Sequence, residues 1–367
     1  MGSTTLKTAF VQSAIAASLI FSAISAPPVQ ATIADGSTPL VLTTIPVQKG
    51  LPKAVEQAVK KDIQRQFGAA IASLNVTEYS DQNWPDGCLG LPRGKEMCTM
   101  AIVPGYRISV SDGIQTWNYR SDTSGQTLRL EDADRERLPI AVAQKLVQQI
   151  AKENRVSVAS LRVTEIKPQV FGGCMGLVNY PQTACTKIGL PGWQAIVSGA
   201  SRSWVYHLTQ DGSRIVKNPT ASGANSTVRT SFEYLGGNPP ALEAGIIFRS
   251  TVSGSLTGET RTVTLTEDGK LTRWITGPTI RSVPVVLKTL SPKELARFKR
   301  TLDRQRYANL NGITYLTAAA VADYPTTQFE AQGGSVQYLS LVQDQLPRSL
   351  QQIIRQWEAL IPSEPQQ

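Results

Sequence analysis

A two-cysteine loop that occurs twice constrains this chain more than any other feature. The stretch DGCLGLPRGKEMC, Asp86 to Cys98, returns in altered form as GGCMGLVNYPQTAC, Gly172 to Cys185. The sequence around it repeats in register. Leu51-Pro52 returns as Leu138-Pro139, Pro104-Gly105 as Pro191-Gly192, and Trp117 and Tyr119 as Trp204 and Tyr206, each 87 positions later. Cys98 to Cys185 keeps that offset, but Cys88 to Cys174 is 86, so the cysteine segment carries a one-residue change in length. Tolerance of such a change marks it as loop.

Each copy opens with a helix. Pro52 and Pro139 suit a first helical turn, where a missing N–H costs nothing. Val55, Val59, Ile63 and Phe67 are spaced by four, as are Val142, Leu146 and Ile150, with Ala143 and Val147 beside them. That is one apolar stripe per helix, meant for a sheet. A strand follows, LNVTE at Leu74–Glu78 and LRVTE at Leu161–Glu165, and then the cysteine loop. PGYRISV and GIQTWNYR read as a hairpin around Asp112-Gly113, with PGWQAIV and RSWVYHL as counterparts. Asp122 to Gly125, and Asp211-Gly212, turn the chain into a last short strand.

The expected fold class is therefore α+β: two tandem small helix-plus-antiparallel-sheet domains, over 51–135 and 136–217, followed by a third α+β domain. Each copy carries its own cysteine pair, which selects Cys88–Cys98 and Cys174–Cys185 among the three possible pairings. A unit of this size has a marginal core. Closing a loop of about ten residues contributes about 2–3 kcal/mol, mainly by restricting the unfolded chain.

Residues 218–227 (NPTASGANST) are polar and turn-rich and read as a linker. The third module, 228–362, is unlike the copies. TSFEYLGG reads as a strand entering a glycine turn, and RTVTLTEDGKLTRWI as a hairpin turning at Glu267-Asp268-Gly269. Ser291-Pro292-Lys293-Glu294 predicts a capping box opening a helix with Leu295, Phe298 and Leu302 on one face. Strands are expected at Thr326–Ala331 and Val336–Leu341. A last helix is expected from Pro347, with Leu350, Ile353, Ile354, Trp357 and Leu360 as its stripe.

Residues 1–31 read as a secretory signal. Lys7 is their only charged side chain, an apolar run follows from Ala9 to Ala26, and Val29-Gln30-Ala31 supplies a cleavage site before an N-terminal linker, 32–50. An uncleaved anchor is the alternative. Gln12 and four serines in the run weigh against a stable span. No other stretch is long and apolar enough to cross a bilayer, so no membrane span is expected after cleavage. Export to an extracytoplasmic compartment (periplasm, cell surface or medium) agrees with four cysteines paired as disulfides.

Loss of Lys7 lowers the formal charge from +9 to +8. A basic exported chain favours anionic neighbours such as cell-wall polymers, acidic glycans or acidic proteins. Nucleic acid is not expected, since no dense basic run with interleaved aromatics exists. Catalytic chemistry finds little material. His207 is the only histidine, which excludes zinc sites needing two imidazoles, and it lies in a strand where the first copy has Arg120. Cysteine intervals of ten and eleven are too long for a zinc knuckle, and no redox C-x-x-C occurs. Asp86 beside Trp84 offers a binding subsite or, in W-P-D-G, a turn, and the turn is the simpler account. The acids of EDADRERLP fit a solvated inter-domain segment better than an acid/base couple. No GxSxG, Walker loop, dinucleotide fingerprint or HExxH appears. No catalytic residue, metal or cofactor is expected.

WPDGCLGLP, a second cysteine, PGY and an aromatic strand together resemble a repeat of exported, mostly uncharacterised bacterial proteins, notably cyanobacterial ones. Their helix-then-sheet order is similar to the PepSY or cystatin-like arrangement. The likeness covers about Leu51–Leu130 and Leu138–Lys217, with W-P-D missing from the second copy. FEYLGG, the hairpin at TEDGKL, the LSPKEL helix start and LPRSLQQIIRQW resemble emfourin-type inhibitors of thermolysin-like metalloproteases, over roughly Val228–Ile361. That resemblance implies a protein partner, a metalloprotease, met by the sheet and its loops, and points to Gly236 and Gly237. Two functions follow as expectations: an exported non-enzymatic protein-binding module acting as a protease inhibitor, and a structural envelope protein docking on anionic polymer.

Overall fold

A computed structural model of the chain describes residues 50–131, 137–179, 181, 184–233, 242–254, 256–280, 282–317 and 324–362. The expected leader, nearly all of the N-terminal linker and the middle of EDADRERLP (132–136) lie outside the described residues. The fold is α+β: two small helix-and-sheet units, each closed by one disulfide, and a larger sheet module with two helices.

The first clipped unit comprises α1 (Lys53–Phe67), β1 (Asn75–Trp84), β2 (Val103–Ser111), β3 (Thr116–Asp122) and β4 (Leu128–Leu130), an antiparallel sheet in order β1-β2-β3-β4. The second comprises α2 (Ile140–Asn154), β5 (Arg162–Phe171), β6 (Leu190–Ser198), β7 (Ser203–Thr209) and β8 (Ile215–Asn218), in order β5-β6-β7-β8. Every element begins 87 positions after its counterpart, and so does the bulge between Val76 and Glu78, matched between Val163 and Glu165. The helix stripes bury as their spacing requires: Val55, Val59 and Ile63 in α1, and Val142, Ala143, Leu146, Val147 and Ile150 in α2. Pro52 and Pro139 stand at the N-cap, one position before the first turn, in extended backbone. The Pro-Gly of each unit marks a close approach of strands. A Cβ on Gly105 would lie 1.8 Å from the Ser121 carbonyl oxygen, and one on Gly192 would lie 2.0 Å from that of Leu208.

The third module contains β9 (Val228–Phe232), β10 (Ile246–Ser253), β11 (Thr260–Thr266), β12 (Lys270–Thr276), β13 (Val285–Thr289), α3 (Pro292–Arg304), β14 (Ile313–Thr317), β15 (Thr326–Ala331), β16 (Gly334–Leu339) and α4 (Arg348–Glu358). Its eight strands run in the order β13-β12-β11-β10-β15-β16-β14-β9, and only β14 and β16 pair in parallel. Ser291 and Glu294 close the capping box reciprocally. Phe298 and Leu302 of α3, and Leu350, Ile353, Ile354 and Trp357 of α4, are buried on the sheet. Phe248 on β10 centres this core, with ring centroids of Trp357, Phe329, Phe298 and Tyr307 at 4.7, 5.0, 5.2 and 5.8 Å.

Residues 218–227, expected as a linker, are instead packed between the second unit and the third module. Ala221 and Ala224 are fully buried. Asn218 Nδ2 donates to the Asn309 carbonyl (2.7 Å), the Tyr315 hydroxyl to the Ala221 carbonyl (2.8 Å), and the Asn225 amide to the Gln345 carbonyl (2.8 Å). Small side chains let this backbone come close to its neighbours, and hydrogen bonds satisfy its polar groups, so composition alone misleads.

Candidate functional site

Each cysteine loop is held by the same device. Cys88 bonds to Cys98 and Cys174 to Cys185, with Cα atoms 5.4 Å apart in both. Leu89 and Met175, next to the first cysteine, adopt left-handed backbone (φ 57° and 55°), which turns their carbonyls back toward the sheet. In the first unit Arg120 Nη1 donates to the Leu89 carbonyl (2.9 Å), and its guanidinium lies 4.7 Å from the ring centroid of Trp84. In the second, His207 Nδ1 donates to the Met175 carbonyl (2.6 Å), and its ring stacks on Phe171 at 5.2 Å. Burial holds the His207 imidazole below its ordinary pKa, against the opposing pull of the Met175 carbonyl. The lone histidine is thus a loop anchor. Asp86 Oδ1 accepts from the amides of Cys88 (2.8 Å) and Gly90 (2.9 Å), the turn role that W-P-D-G suggests. Asp86 also lies near both sulfurs of the first disulfide, but sulfurs bonded to each other offer no thiolate to a metal. Trp117 and Trp204 are core residues.

The faces opposite the two helices differ. In the second unit Ile196 and Val205 are fully buried in one cluster with the third module. Asn309 reaches the second cysteine loop, taking the Val178 amide on Oδ1 (2.7 Å) and giving Nδ2 to its carbonyl (3.0 Å). Every residue of β7 is consequently buried, whereas β3 alternates. The matching face of the first unit carries Ser109 and Asn118, hydrogen-bonded at 2.7 Å, in place of Ile196 and Val205. Beside them Glu131 receives a bidentate pair from Arg107 (2.9 Å twice) and a further contact from Arg120 (3.4 Å). Arg107 holds the Glu131 carboxyl below the usual carboxylate range.

Between α1, the first cysteine loop and β4 lies an open groove of about 780 Å³. Lys61, Arg65, Arg93 and Arg129 line it, with Asp62 as the one acid of the lining. Asp62 is engaged by Arg65, Gln66 and the Tyr119 hydroxyl (2.8 Å), and Glu96 at the rim by Arg129 (2.7 Å). Lys61 and Arg93 make no ion pair among the described residues. At the matched positions the second unit has Gln148 for Lys61 and Val216 for Arg129. The loop next to the groove ends in an apolar tip: Met97 and Met100 are each 96% exposed and Ile102 is 73%.

In the third module α3, α4 and the second unit all pack on one sheet face. The strand registers place a polar row across the other face, Ser231, Thr314, Gln337, Gln328, Thr251 and Thr262, ending at Trp274, which is 48% exposed. The β13 edge beside it exposes Val283, Val285 and Val286. Gly236 and Gly237 lie outside the described residues. The Trp274 and β13 surface was not singled out in the sequence. Its signal is the alternation of TRTVTLT, which leaves a threonine face toward solvent.

Residues 56–130, nearly all of the first clipped unit, match the family model of a domain of unknown function, DUF8738. No curated protein matches the chain. No solved structure matches it.

Proposed function

We propose that the chain is an exported, non-enzymatic protein-binding protein whose third module inhibits a thermolysin-like metalloprotease. One observation supports this reading: the eight-stranded sheet gathers its helices and the second unit onto one face, while at its far end Trp274 on the opposite face and Val285 and Val286 on the β13 edge stay exposed. An edge strand presents unpaired N–H and C=O groups, and an extended segment of a partner can add to it. Val285 and Val286 on that edge, and Trp274 beside it, supply the apolar and aromatic contacts that anchor such a surface. The rigid, clipped units suit an inhibitor, because a preorganised surface loses little entropy on binding.

The test is an inhibition titration of the full chain against a thermolysin-like metalloprotease, with a serine protease as control. Stoichiometric inhibition of the metalloprotease, weakened at least tenfold by Trp274→Ala with Val286→Lys, is the expected result. An untouched protease with the chain left intact would remove the inhibitor reading. The second reading, docking on an anionic envelope polymer, draws on the groove of Lys61, Arg65, Arg93 and Arg129. Such docking fades as ionic strength rises, whereas a packed inhibitor interface persists.

A further inference from the structure

We infer that the first clipped unit docks on an anionic lipid surface, with its disulfide-closed loop entering the headgroup region. The groove by itself would serve any polyanion. The tip beside it would not be needed for that. Met97 and Met100, almost wholly in water, and the exposed Ile102 lie on one short loop, an arrangement that costs free energy unless something covers them. Two links hold the tip at the groove. Glu96, next to Met97, pairs with Arg129 of the groove wall, and the amide of Gly87, which lines the groove, donates to the carbonyl of Thr99 (3.0 Å), between Cys98 and Met100.

The charges around the tip select an anionic surface. Lys61, Arg93 and Lys95 are exposed and make no ion pair among the described residues. Of the nearby acids, Asp62 and Glu96 are engaged by Arg65 and Arg129, and Asp86 Oδ1 takes the amides of Cys88 and Gly90. Apolar side chains flanked by cations are the combination that holds a peripheral protein on a membrane. Neither signal alone suffices, because a few buried methylenes or a few screened charges each give weak, reversible binding. Methionine suits the irregular boundary between headgroup and acyl chain, being unbranched and flexible. The disulfide ties Cys98, between Met97 and Met100, to Cys88 and so restricts how the tip can rearrange. The second unit supplies the internal contrast. Its loop has Ala184 and Lys187 where the first has Met97 and Met100, and it is held by Asn309 instead.

The experiment is co-sedimentation of the full chain with vesicles of phosphatidylglycerol, phosphatidylcholine or an equal mixture, with soluble dextran sulfate as competitor. Binding should require phosphatidylglycerol. It should fall at least tenfold in Met97→Ser with Met100→Ser, and at least tenfold in Lys61→Ala with Arg93→Ala. All four positions are exposed, so both variants should keep the wild-type circular dichroism spectrum. Failure to sediment with any vesicle would overturn the inference. So would binding that is unchanged by the methionine substitutions and abolished by dextran sulfate, since that result assigns the groove to a polymer.

Discussion

The two clipped units share one backbone plan and differ in what covers it. In the second, the sheet face opposite the helix is apolar and built into the third module, through Ile196, Val205 and the loop contact to Asn309. In the first, the same face is hydrophilic, and its loop ends in an apolar tip that nothing in the described chain covers. Side-chain differences at matched backbone positions, Ser109 and Asn118 against Ile196 and Val205, Met97 and Met100 against Ala184 and Lys187, thus accompany the difference between a unit built into the third module and one whose surface is exposed. The lesson is that duplication fixes the helix, the sheet and the clip, while the partner is chosen by side chains on one face.

Exchanging those side chains breaks the comparison most sharply. Val205→Asn gives the second unit the residue found at Asn118. Burying an amide without partners, and losing apolar contact, should cost about 3 kcal/mol. Urea unfolding of the full chain should show it, with the second unit and third module losing hydrogen-exchange protection together. The converse, Asn118→Val, forfeits the half-buried hydrogen bond that Ser109 donates and should cost less than Val205→Asn, on the order of 1 kcal/mol. Equal effects would mean that the two faces are equivalent.

The loops should separate next. Removing either disulfide, by Cys88→Ser with Cys98→Ser or by Cys174→Ser with Cys185→Ser, should cost about 2–3 kcal/mol through the unfolded chain. The local consequence should differ. Without its clip the first loop keeps only contacts within its own unit, those of Asp86, Leu89, Thr99 and the Glu96–Arg129 pair, so amides from 87 to 99 should exchange faster. The second loop is also tied by the Val178–Asn309 pair, so its amides should stay protected. Asn309→Ala, which leaves the Val178 amide and carbonyl unpaired, should cost about 2 kcal/mol and bring the second loop to the behaviour of the first. Matching exchange in both clip-deleted variants would show that Asn309 does not hold the loop.

Much of this plan was legible because it is local. Helix stripes spaced by four, a capping box and a cysteine pair inside each copy are specified within a dozen residues. The junction was harder, since it joins residues far apart in the chain. One signal did exist. WVYHL is apolar or aromatic at nearly every position, as a strand buried on both faces must be, while TWNYR alternates. Three strands, β10, β13 and β14, escaped the reading. Ile246 and Ile247 follow NPPALEAG, whose two prolines and glycine interrupt any strand pattern, and Val285–Thr289 is an exposed edge whose pairing with β12 sets its conformation. Of the candidate surface, the cysteines and the role of Asp86 were readable. The groove was not, because Lys61, Arg93 and Arg129 converge only when α1, the loop and β4 are folded together.

The smallest expected effect is a dependence on pH that only the second unit can show. His207 and Arg120 do the same work on their loops, but only His207 titrates near neutrality. Unfolded, it gains a proton near pH 6.5. Folded, burial pushes its pKa lower, so the native state binds fewer protons across that window. Its contribution is therefore complete above pH 6.5 and is lost as the pH falls toward the folded value, by at most about 1.4 kcal/mol per pH unit. Urea midpoints at pH 7.5, 6.0 and 5.0 should fall in the wild type more steeply than in His207→Gln, whose amide can still donate to the Met175 carbonyl. The carboxyls of Glu294, lowered to about 2 chiefly by Lys288, and of Asp268, lowered to about 2 chiefly by Lys270, are held in the folded state below the same window. Because the chain has one histidine, the difference between the two slopes belongs to it alone. Parallel slopes would mean that His207 is solvated in the folded state, and that the second loop is held by Asn309 without it.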